Sequence, residues 1–323
     1  MKTYKAPKIA VHTFQGMMSS SKKMFDFFDL VKRVSATDSP ILVRGETGTG
    51  KELVARAIHT LSSRRAQNFE AVNCATLAPE LAVSELFGHK KGSFTGATTD
   101  HKGYFEASHK GTLFLDEVAE LPPSVQSRLL RALQEKTISP LGSTKNKSID
   151  VRILSATHKA LRREVKRGQF REDLMYRLRV VPIFIPRLVE RGRDVEVLTW
   201  KFIEEFNQVN QRQIKNISED ARDALLSYDW PGNTRELRNN IEYAFAVGVG
   251  QTLDLDQLTP ELRNEEPLGA NEDIEAKFDF EQKEKVNIIR ALNHAEGNKS
   301  MAAESLGISR STLWRKMKSL GIT

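Results

Sequence analysis

The sequence predicts an α/β fold in which a parallel β-sheet is followed by a helical part and by a smaller C-terminal helical domain. Three observations support this prediction. Short runs rich in Val, Ile, Leu and Phe alternate with longer helical patterns between about residues 40 and 186. A glycine-rich segment joins the first run to a helical pattern, and from residue 195 to about 249 the apolar spacing is helical throughout. The 323 residues suffice for about two domains.

The predicted sheet consists of five short runs that are nearly continuous in apolar residues. Such continuity is typical of strands that are covered on both faces. A helical pattern separates the runs, as the crossover between two parallel strands requires. The five predicted strands are 41–44, 69–73, 112–115, 151–156 and 180–185.

Composition and charge exclude several classes of protein. Hydrophobic residues make up 39% of the chain and charged residues 28%, which is typical of a folded globular protein. Cys74 is the single cysteine, so neither an internal disulfide nor a cysteine-based metal cluster can form. The sequence contains no apolar run long enough to span a bilayer, and we expect a cytoplasmic protein with no membrane partner. The net charge of +7 favours a polyanionic partner.

The charge along the chain changes near the C-terminus. Residues 263–277 carry five Asp+Glu against two Lys+Arg and include Pro267 and Gly269, which is typical of a linker. Residues 278–323 carry eight Lys+Arg against five Asp+Glu, a net charge of +3. The excess positive charge is therefore concentrated in the C-terminal domain.

A GxxxxGK motif lies between the first predicted strand and the following helix. Glycines at this position let backbone N–H groups surround phosphate oxygens, and the helix N-terminus adds partial positive charge. Lys51 would reach the β- and γ-phosphates, whereas Glu52 stands where the general motif has a Ser or Thr that ligates Mg²⁺. The predicted ATP-binding residues of this loop are Gly45, Glu46, Thr47, Gly48, Thr49, Gly50, Lys51 and Glu52.

Two carboxylates, Asp116 and Glu117, follow the third predicted strand directly. The carboxyl ends of parallel strands are where α/β sheets bind ligands. We predict that Asp116 binds Mg²⁺ and that Glu117 polarises the attacking water. Taken alone, an acidic end of a strand is also common as a solvated surface.

Five motifs together resemble the AAA+ domain of bacterial sigma-54-dependent transcription activators, the NtrC-like enhancer-binding proteins. In that family Glu is the usual residue after the phosphate-loop lysine. The resemblance extends from about Phe14 to the C-terminus and implies an AAA+ P-loop NTPase with a parallel sheet, an all-α lid subdomain and a helix-turn-helix domain. The motifs are GETGTGKE (45–52), ELFGHKKGSFTGA (85–97), GTLFLDEVAELP (111–122), FREDLMYRL (170–178) and WPGNTREL (230–237).

The resemblance also implies domain boundaries and roles for further residues. Asn73 matches a residue that restrains the catalytic Glu, and His158 lies at the first-sensor position, where Asn is commoner. Arg171 and Arg177 match arginine fingers that reach the neighbouring subunit's nucleotide, and Arg235 matches the second sensor. The predicted domains are an N-terminal extension (1–13), an AAA+ α/β subdomain (14–190), a helical lid (191–262), a linker (263–277) and a Fis-type helix-turn-helix domain (278–323).

The loop 92–97, which reads GSFTGA, resembles the family's GAFTGA loop. Phe94 and Thr95 match the pair that contacts sigma-54 in the family. The chain departs from the family pattern at Ser93 in this loop, at Pro140 and Ser143 in a second loop, and at Val189 in the segment 186–191. We expect the loop to function and these departures to affect coupling.

The C-terminal sequence GNKSMAAESLGISRSTLWRKMKSLGI (297–322) resembles the Fis-type DNA-binding domain that these activators carry. Its last helix, capped by Ser309, would enter the major groove of double-stranded DNA. Residues at the start of this helix are candidates for base contacts, and the later basic residues for phosphate contacts. The candidates are Ser309, Arg310, Ser311 and Thr312 for bases, and Arg315, Lys316 and Lys318 for phosphates.

The resemblance implies an ATP-hydrolysing activator that binds an upstream DNA site and remodels the sigma-54 RNA polymerase closed complex, working as a homo-oligomer, expected to be a hexamer. Two alternatives are a DNA-bound regulator or repressor that does not act through sigma-54, and an AAA+ machine with a non-transcriptional target. The second leaves the helix-turn-helix unexplained. About 13 residues precede the resemblance, so we expect no receiver domain and control by expression level or by a separate regulatory protein.

Overall fold

A computed structural model of the chain describes residues 2–7, 9–263 and 265, together with the single positions 299, 301 and 313. The strands are β1 (Thr3–Tyr4), β2 (His12–Phe14), β3 (Met17–Ser19), β4 (Ile41–Arg44), β5 (Phe69–Asn73), β6 (Thr112–Asp116), β7 (Thr137–Ile138), β8 (Lys147–Ser148), β9 (Arg152–Thr157), β10 (Val181–Phe184), β11 (Asn216–Ser218) and β12 (Thr252–Leu253). The helices are α1 (Lys22–Ser35), α2 (Lys51–Thr60), α3 (Ala82–Phe87), α4 (Tyr104–Ala107), α5 (Pro123–Glu135), α6 (Leu161–Lys166), α7 (Glu172–Leu178), α8 (Asp194–Val209), α9 (Glu219–Ser227) and α10 (Asn233–Val247).

The five predicted strands form one parallel sheet in the order β10-β4-β9-β6-β5. Strand β4 lies between β10 and β9, with Ile41 opposite both Val181 and Leu154. The acidic pair lies at the end of β6, which is two places from β4 on the far side of β9. All five strands therefore end at one edge of the sheet, where the phosphate loop also begins.

The two faces of this sheet are covered by separate layers of helices. On one face α1 and α2 pack against β4 and β9 around Phe28 and Ile58, and both side chains are fully buried. On the other face α5 and α7 contribute Leu129 and Leu174 to a second core. Burial of large apolar side chains on both faces supplies most of the stabilising free energy of such a sheet.

The prediction that every strand is covered on both faces holds for the central strands and is wrong at the edges. Residues of β4 and β9 are almost all buried, whereas Ala71 in β5 and Phe184 in β10 are exposed. An edge strand has a neighbour on one side only, and its outer surface is covered less completely. The strand ends also differ by one residue from the prediction, since β6 includes Asp116 and β9 includes Thr157.

The lid consists of α8, α9 and α10 packed around a core that includes Phe202, Leu237 and the fully buried Trp230. The indole Nε1 of Trp230 donates a hydrogen bond to Leu225 O at 3.0 Å. The helical lid is confirmed, and it also carries a small sheet in the order β1-β11-β12 that the periodicity did not predict.

The first strand of that small sheet comes from the N-terminal extension. Thr3 pairs with Ser218 and Tyr4 with Ile217 in antiparallel register. The Tyr4 hydroxyl donates to Glu219 Oε1 at 3.1 Å, and the Arg222 guanidinium lies 4.7 Å from the centre of the Tyr4 ring. The extension therefore packs on the lid.

The C-terminal residues 264–323 form a second compact unit. Lys299 and Met301 are helical and exposed, and Leu313 is helical and buried. The predicted DNA contacts at 309–312, 315, 316 and 318 lie outside the described residues. Within the part of the chain that the structure describes, none of the helices could cross a membrane.

Candidate nucleotide-binding site

The segment from β4 to α2 forms a tight loop whose backbone only glycines adopt readily. Gly50, directly before α2, has φ +98°, and Gly48 has φ +78°. A Cβ atom at Gly48 would lie 2.0 Å from Gly232 O of the lid, so a larger residue would separate the loop from the lid. Thr49 Oγ1 donates to Glu46 O at 2.7 Å and fixes the turn. These features are those of a loop that surrounds phosphates.

A cleft of about 690 Å³ opens above this loop, between the α/β subdomain and the lid. Most of the predicted nucleotide and catalytic residues line it. Its apolar part is supplied by side chains from the N-terminal segment and the lid, including Met17, Met18, Leu198 and Phe202. The predicted residues that line the cleft are Thr47, Gly48, Thr49, Gly50, Lys51, Glu52, Asn73, Asp116, Glu117, His158 and Arg235.

The phosphate-loop lysine contacts the predicted catalytic carboxylate directly. Lys51 Nζ lies 2.9 Å from Glu117 Oε1 and donates to Gly45 O at 3.2 Å. The Lys51 side chain is only 7% exposed and that of Glu117 14%, so the pair lies largely out of water. While the two side chains are paired, the charge of Lys51 neutralises that of Glu117. The lysine charge can instead bind a phosphate that enters the cleft.

Glu117 is held from its other side by His158. The Glu117 Oε2 atom lies 2.7 Å from His158 Nδ1 and accepts a hydrogen bond from His158 N at 3.2 Å. Burial raises the pKa of the Glu117 carboxyl, but the hydrogen bonds from Lys51 and His158 outweigh burial and hold the pKa below its usual range. Glu117 therefore remains a carboxylate at neutral pH, as a base that polarises water must.

Asp116 forms no ion pair with any of the residues that the structure describes. Burial raises the pKa of its carboxyl, and the neighbouring Glu117 charge raises it further. Its Oδ1 accepts a hydrogen bond from Glu117 N at 3.0 Å. A half-buried carboxylate with a raised pKa beside a second carboxylate is stabilised by a cation, so Asp116 fits the predicted Mg²⁺ ligand.

The structure places Asn73 beside the acidic pair, and its side chain bonds to the backbone instead of to Glu117. Asn73 pairs with Asp116 across neighbouring strands, and its Oδ1 accepts a hydrogen bond from Ala75 N at 2.9 Å. Glu117 binds Lys51 and His158 instead. The restraining role of Asn73 stays a prediction.

Glu52 does not point its charge into the phosphate loop. Its Oε1 accepts hydrogen bonds from Arg56 Nη2 at 2.8 Å and Arg56 Nε at 3.0 Å on the exposed side of α2. A carboxylate next to a triphosphate needs a neighbouring cation, and for Glu52 this cation is Arg56, one helical turn further along α2. Glu52 thus fits a nucleotide site without ligating the metal.

A polar contact that the sequence did not predict joins the phosphate loop to the lid. The buried side chain of Asn233 donates through Nδ2 to Thr47 O at 3.1 Å and to Glu46 Oε2 at 3.3 Å. Its Oδ1 accepts a hydrogen bond from Leu188 N at 2.8 Å. Arg187 Nε also donates to Glu46 Oε2, at 3.0 Å. Asn233 lies two residues before Arg235 in the WPGNTREL motif. Its place in this motif is the feature of the sequence that could have assigned it to the site.

Arg191 is a second residue that sequence reasoning did not assign to the site. Its guanidinium is buried, donates to Thr49 O at 3.2 Å and to Pro186 O at 2.9 Å, and lines the cleft. Burial lowers the pKa of this group, and the charge of Asp194 opposes the shift. Arg191 therefore holds the backbone of the phosphate loop against the segment that leads into the lid.

The three other predicted arginines lie in two places. Arg235 is exposed at the start of α10 and lines the cleft, whereas Arg171 and Arg177 do not line it. Arg171 is the residue directly before α7 and pairs with Asp173 at 2.8 Å, and Arg177 lies in the last turn of α7 and donates to Leu133 O at 3.3 Å. Neither of these two arginines therefore lines the nucleotide cleft of its own chain.

The loop 92–97 forms a hydrogen-bonded turn away from the cleft. Gly92 N donates to Ala97 O at 2.8 Å, and both Phe94 and Thr95 are exposed. The Phe94 ring contacts His89 edge to face at 5.0 Å. The departure at Ser93 leaves a buried hydroxyl with no hydrogen-bond partner in the described structure, and a Cβ atom at Gly142 of the second loop would lie only 2.8 Å from Ser93 Cβ.

This geometry defines a P-loop NTPase of the AAA+ class: a phosphate loop after β4, an acidic pair after β6 two places away, and a helical lid that closes the cleft. The comparison with known families makes the class specific. The Sigma-54 interaction domain matches residues 17–184, the AAA+ ATPase lid domain 189–274 and the Bacterial regulatory protein, Fis family, 280–320. The chain belongs to the family of sigma-54-dependent transcription activators.

Curated relatives and solved structures support the same family. The chain is 41% identical to the transcriptional regulatory protein ZraR of Escherichia coli K12 over 96% of this chain and 70% of ZraR. It is 42% identical to the nitrogen fixation protein AnfA of Azotobacter vinelandii over 95% of this chain and 58% of AnfA, so it spans little more than half of that relative. The crystal structure of Brucella abortus NtrX in complex with ATP superposes with a TM-score of 0.70 at 37% identity, covering 97% of this chain and 69% of NtrX.

Proposed function

We propose that this protein hydrolyses ATP in a ring of identical subunits and uses the energy to remodel the sigma-54 RNA polymerase closed complex while bound to upstream DNA. The observation that carries the proposal is the separation of two features in one subdomain. Phosphate-loop residues 47–52 and the acidic pair line the cleft, and an exposed Phe94–Thr95 pair lies on a loop that does not line it. Such an arrangement suits chemistry at one place and partner contact at another.

In the proposed mechanism Lys51 and Glu117 separate when phosphate oxygens enter the cleft. Lys51 then donates to phosphate, and Glu117 keeps its hydrogen bonds to His158. The depressed pKa keeps Glu117 ionised to accept a proton from the attacking water. Binding of ATP and activation of water therefore depend on the same ion pair.

Mg²⁺ fits this site through Asp116. The described residues contain no cluster of three His, Cys, Asp or Glu side chains that could hold a metal ion by themselves. Mg²⁺ commonly takes one or two carboxylates and completes its ligands with phosphate oxygens and water. Bound there, Mg²⁺ would neutralise charge on the transferred phosphoryl group.

We propose that Arg171 and Arg177 act on the neighbouring subunit's nucleotide in a hexamer. Both are exposed and lie outside the cleft of their own chain, which supports a role between subunits. Arg171 pairs with Asp173 in the isolated chain and would exchange this partner for phosphate oxygens. Arg235, which has no hydrogen-bond partner among the described residues, would contact the nucleotide of its own subunit.

The remaining proposed roles concern DNA, location and control. The Fis-type match at 280–320 supports binding of double-stranded DNA through the residues predicted above. A DNA-bound regulator works in the cytoplasm, and we place the protein there. We also propose that control comes from a separate protein or from expression level.

Substitution of Thr95 tests the proposed use of the loop. Thr95→Ala removes one exposed hydroxyl outside the cleft, so ATP hydrolysis and DNA binding should stay within about twofold of wild type, as is usual for surface changes. Open-complex formation at a sigma-54 promoter should be lost. The matched control is Thr99→Ala, an exposed threonine in the same segment outside 92–97, which should activate normally.

The two readouts separate the candidate functions. Full activation by Thr95→Ala, or a wild-type protein that never contacts sigma-54 in a transition-state-analogue complex, would favour the DNA-bound regulator that does not act through sigma-54. Loss of ATPase activity in Thr95→Ala would instead contradict the separation of loop and cleft.

A further inference from the structure

A second cavity lies at the end of the sheet opposite the phosphate loop. It has a volume of about 330 Å³, within the range of small-molecule sites. Pro40, Asp150 and Val180, which lie just before β4, β9 and β10, line it. The strands begin at this edge and end at the nucleotide cleft, so the two cavities are separated by the sheet. We call this space the basal cavity.

The basal cavity carries an excess of positive charge. Its lining includes four cationic side chains, Arg64, Lys136, Arg152 and Arg177, and two carboxylates, Asp38 and Asp150. Arg64 Nη2 lies 2.8 Å from Asp38 Oδ2 and 2.8 Å from Asp150 Oδ1, so one arginine engages both carboxylates.

The three other cations have no ion-pair partner among the described residues. Arg152 is 2% exposed, and its guanidinium donates to the carbonyls of Val34 and Ser35 at 3.1 Å. These carbonyls are at the C-terminus of α1, which carries only partial negative charge. Lys136 follows α5 in a left-handed conformation with φ +52°, and its exposed ammonium forms no hydrogen bond with the described residues.

The charged groups around the basal cavity shift one another's pKa values. The hydrogen bond from Arg64 lowers the pKa of Asp38 most, and the charges of Arg152 and Lys136 lower it further. Burial lowers the pKa of Arg152, as expected for a cation that lacks an adjacent anion. The basal cavity is therefore short of negative charge.

The rest of the lining is apolar. Phe105, Leu133, Ile149 and Ile153 contribute to the wall. Small-molecule sites commonly combine an apolar wall with a few charged groups that fix the orientation of the ligand.

We propose that the basal cavity binds a small organic anion, with its apolar body against this wall and its phosphate or carboxylate group at Lys136. This site is distinct from the nucleotide cleft. The ligand class is an aryl or alkyl phosphate or carboxylate, because a purely inorganic anion would leave the apolar wall uncovered and a neutral molecule would leave the cations unpaired.

Binding of phenylphosphate by the full-length chain tests the proposal. The measurement is isothermal titration calorimetry with the nucleotide cleft saturated by Mg-ADP, so that the phosphate loop cannot bind the probe. Lys136→Met removes the free ammonium and keeps the length of the side chain; Arg177 is left intact because it is a proposed arginine finger. Lys145→Met is the matched control, since Lys145 is an exposed lysine that does not line the cavity.

Wild type and Lys145→Met should bind phenylphosphate with the same affinity, and Lys136→Met should bind it about tenfold or more weakly, as loss of a charged hydrogen bond predicts. Inorganic phosphate and benzyl alcohol, which each carry half of the required chemistry, should both bind wild type about tenfold or more weakly than phenylphosphate. Equal affinity of Lys136→Met and Lys145→Met would overturn the proposal. Inorganic phosphate or benzyl alcohol binding as tightly as phenylphosphate would overturn the ligand class.

Discussion

Replacement of Asn233 by alanine should detach the lid from the phosphate loop. This side chain is fully buried and contacts two separate segments, the phosphate loop through Thr47 O and Glu46 Oε2 and the segment before the lid through Leu188 N. Asn233 also has φ +50°, a left-handed conformation that Asn tolerates better than Ala. Alanine therefore removes the hydrogen bonds and introduces backbone strain at once.

The expected loss follows from these two effects. Leu188 N and Thr47 O lose a partner, and each buried unpaired polar group costs about 1–3 kcal/mol. The left-handed conformation costs alanine about 1–2 kcal/mol, a cost that glycine escapes. Asn233→Ala should therefore lower the free energy of unfolding by about 3–8 kcal/mol, and Asn233→Gly by about 1–2 kcal/mol less than Asn233→Ala.

Urea denaturation followed by tryptophan fluorescence measures both variants. Two of the three tryptophans, Trp200 and Trp230, lie in the lid, and Trp314→Phe as a background removes the third. Asn239→Ala, an exposed position on the same helix, should change stability by less than about 0.5 kcal/mol. A glycine variant as stable as wild type would refute a stabilising role for the hydrogen bonds, and equal losses in the alanine and glycine variants would refute the backbone contribution.

Three further predictions concern the ion pairs. Lys51→Ala should abolish nucleotide binding in a fluorescent-ATP assay, whereas Glu117→Gln should bind ATP and lose about 100-fold or more in turnover; equal loss of binding would contradict their separate roles. Subunits carrying Arg171→Ala, mixed equally with Lys51→Ala subunits, should regain about a quarter of wild-type ATPase activity, because each ring interface takes one half-site from each neighbour; no recovery in demonstrably mixed rings would place the arginine in its own subunit's site. Arg64 depresses the pKa of Asp38, so the Asp38 carboxylate stabilises the fold above its ordinary pKa near 4 and this stability is lost as the pH falls through the lower folded value. Asp38→Asn should therefore be less stable than wild type at pH 6 by up to about 1 kcal/mol, with a smaller difference at pH 3 in urea unfolding; a difference that grows on acidification would reverse the assigned sign.

Much of the sheet and phosphate loop could be predicted because short-range patterns determine them. Continuous apolar runs locate β4, β6 and β9, since both faces of these strands are buried. The positive φ value at Gly50 is the reason that the motif requires glycine there. The cleft brings Lys51 and Glu117 together because their strands end at one edge of the sheet.

Other features depend on contacts between residues far apart in the chain. The strand Thr3–Tyr4 is too short for periodicity to reveal, and it forms because β11 offers an unpaired edge. The contact of Glu117 with His158 in place of Asn73 depends on side-chain direction, which spacing does not specify. Asn is common in turns, so the sequence alone gives Asn233 no special role. Only its hydrogen bond to Thr47 O in the folded chain shows that it joins the lid to the phosphate loop.

The pairing of Thr3–Tyr4 with the lid has a consequence for how motion in this protein can be observed. Because β1 is hydrogen-bonded to β11 of the lid, the first residues of the chain travel with the lid when it moves relative to the sheet. A fluorophore attached at position 5, paired with one on an exposed residue of α2, would therefore report opening and closing of the cleft in real time. A bulky group fused ahead of Lys2 would add its mass and drag to the moving part rather than to the stationary one.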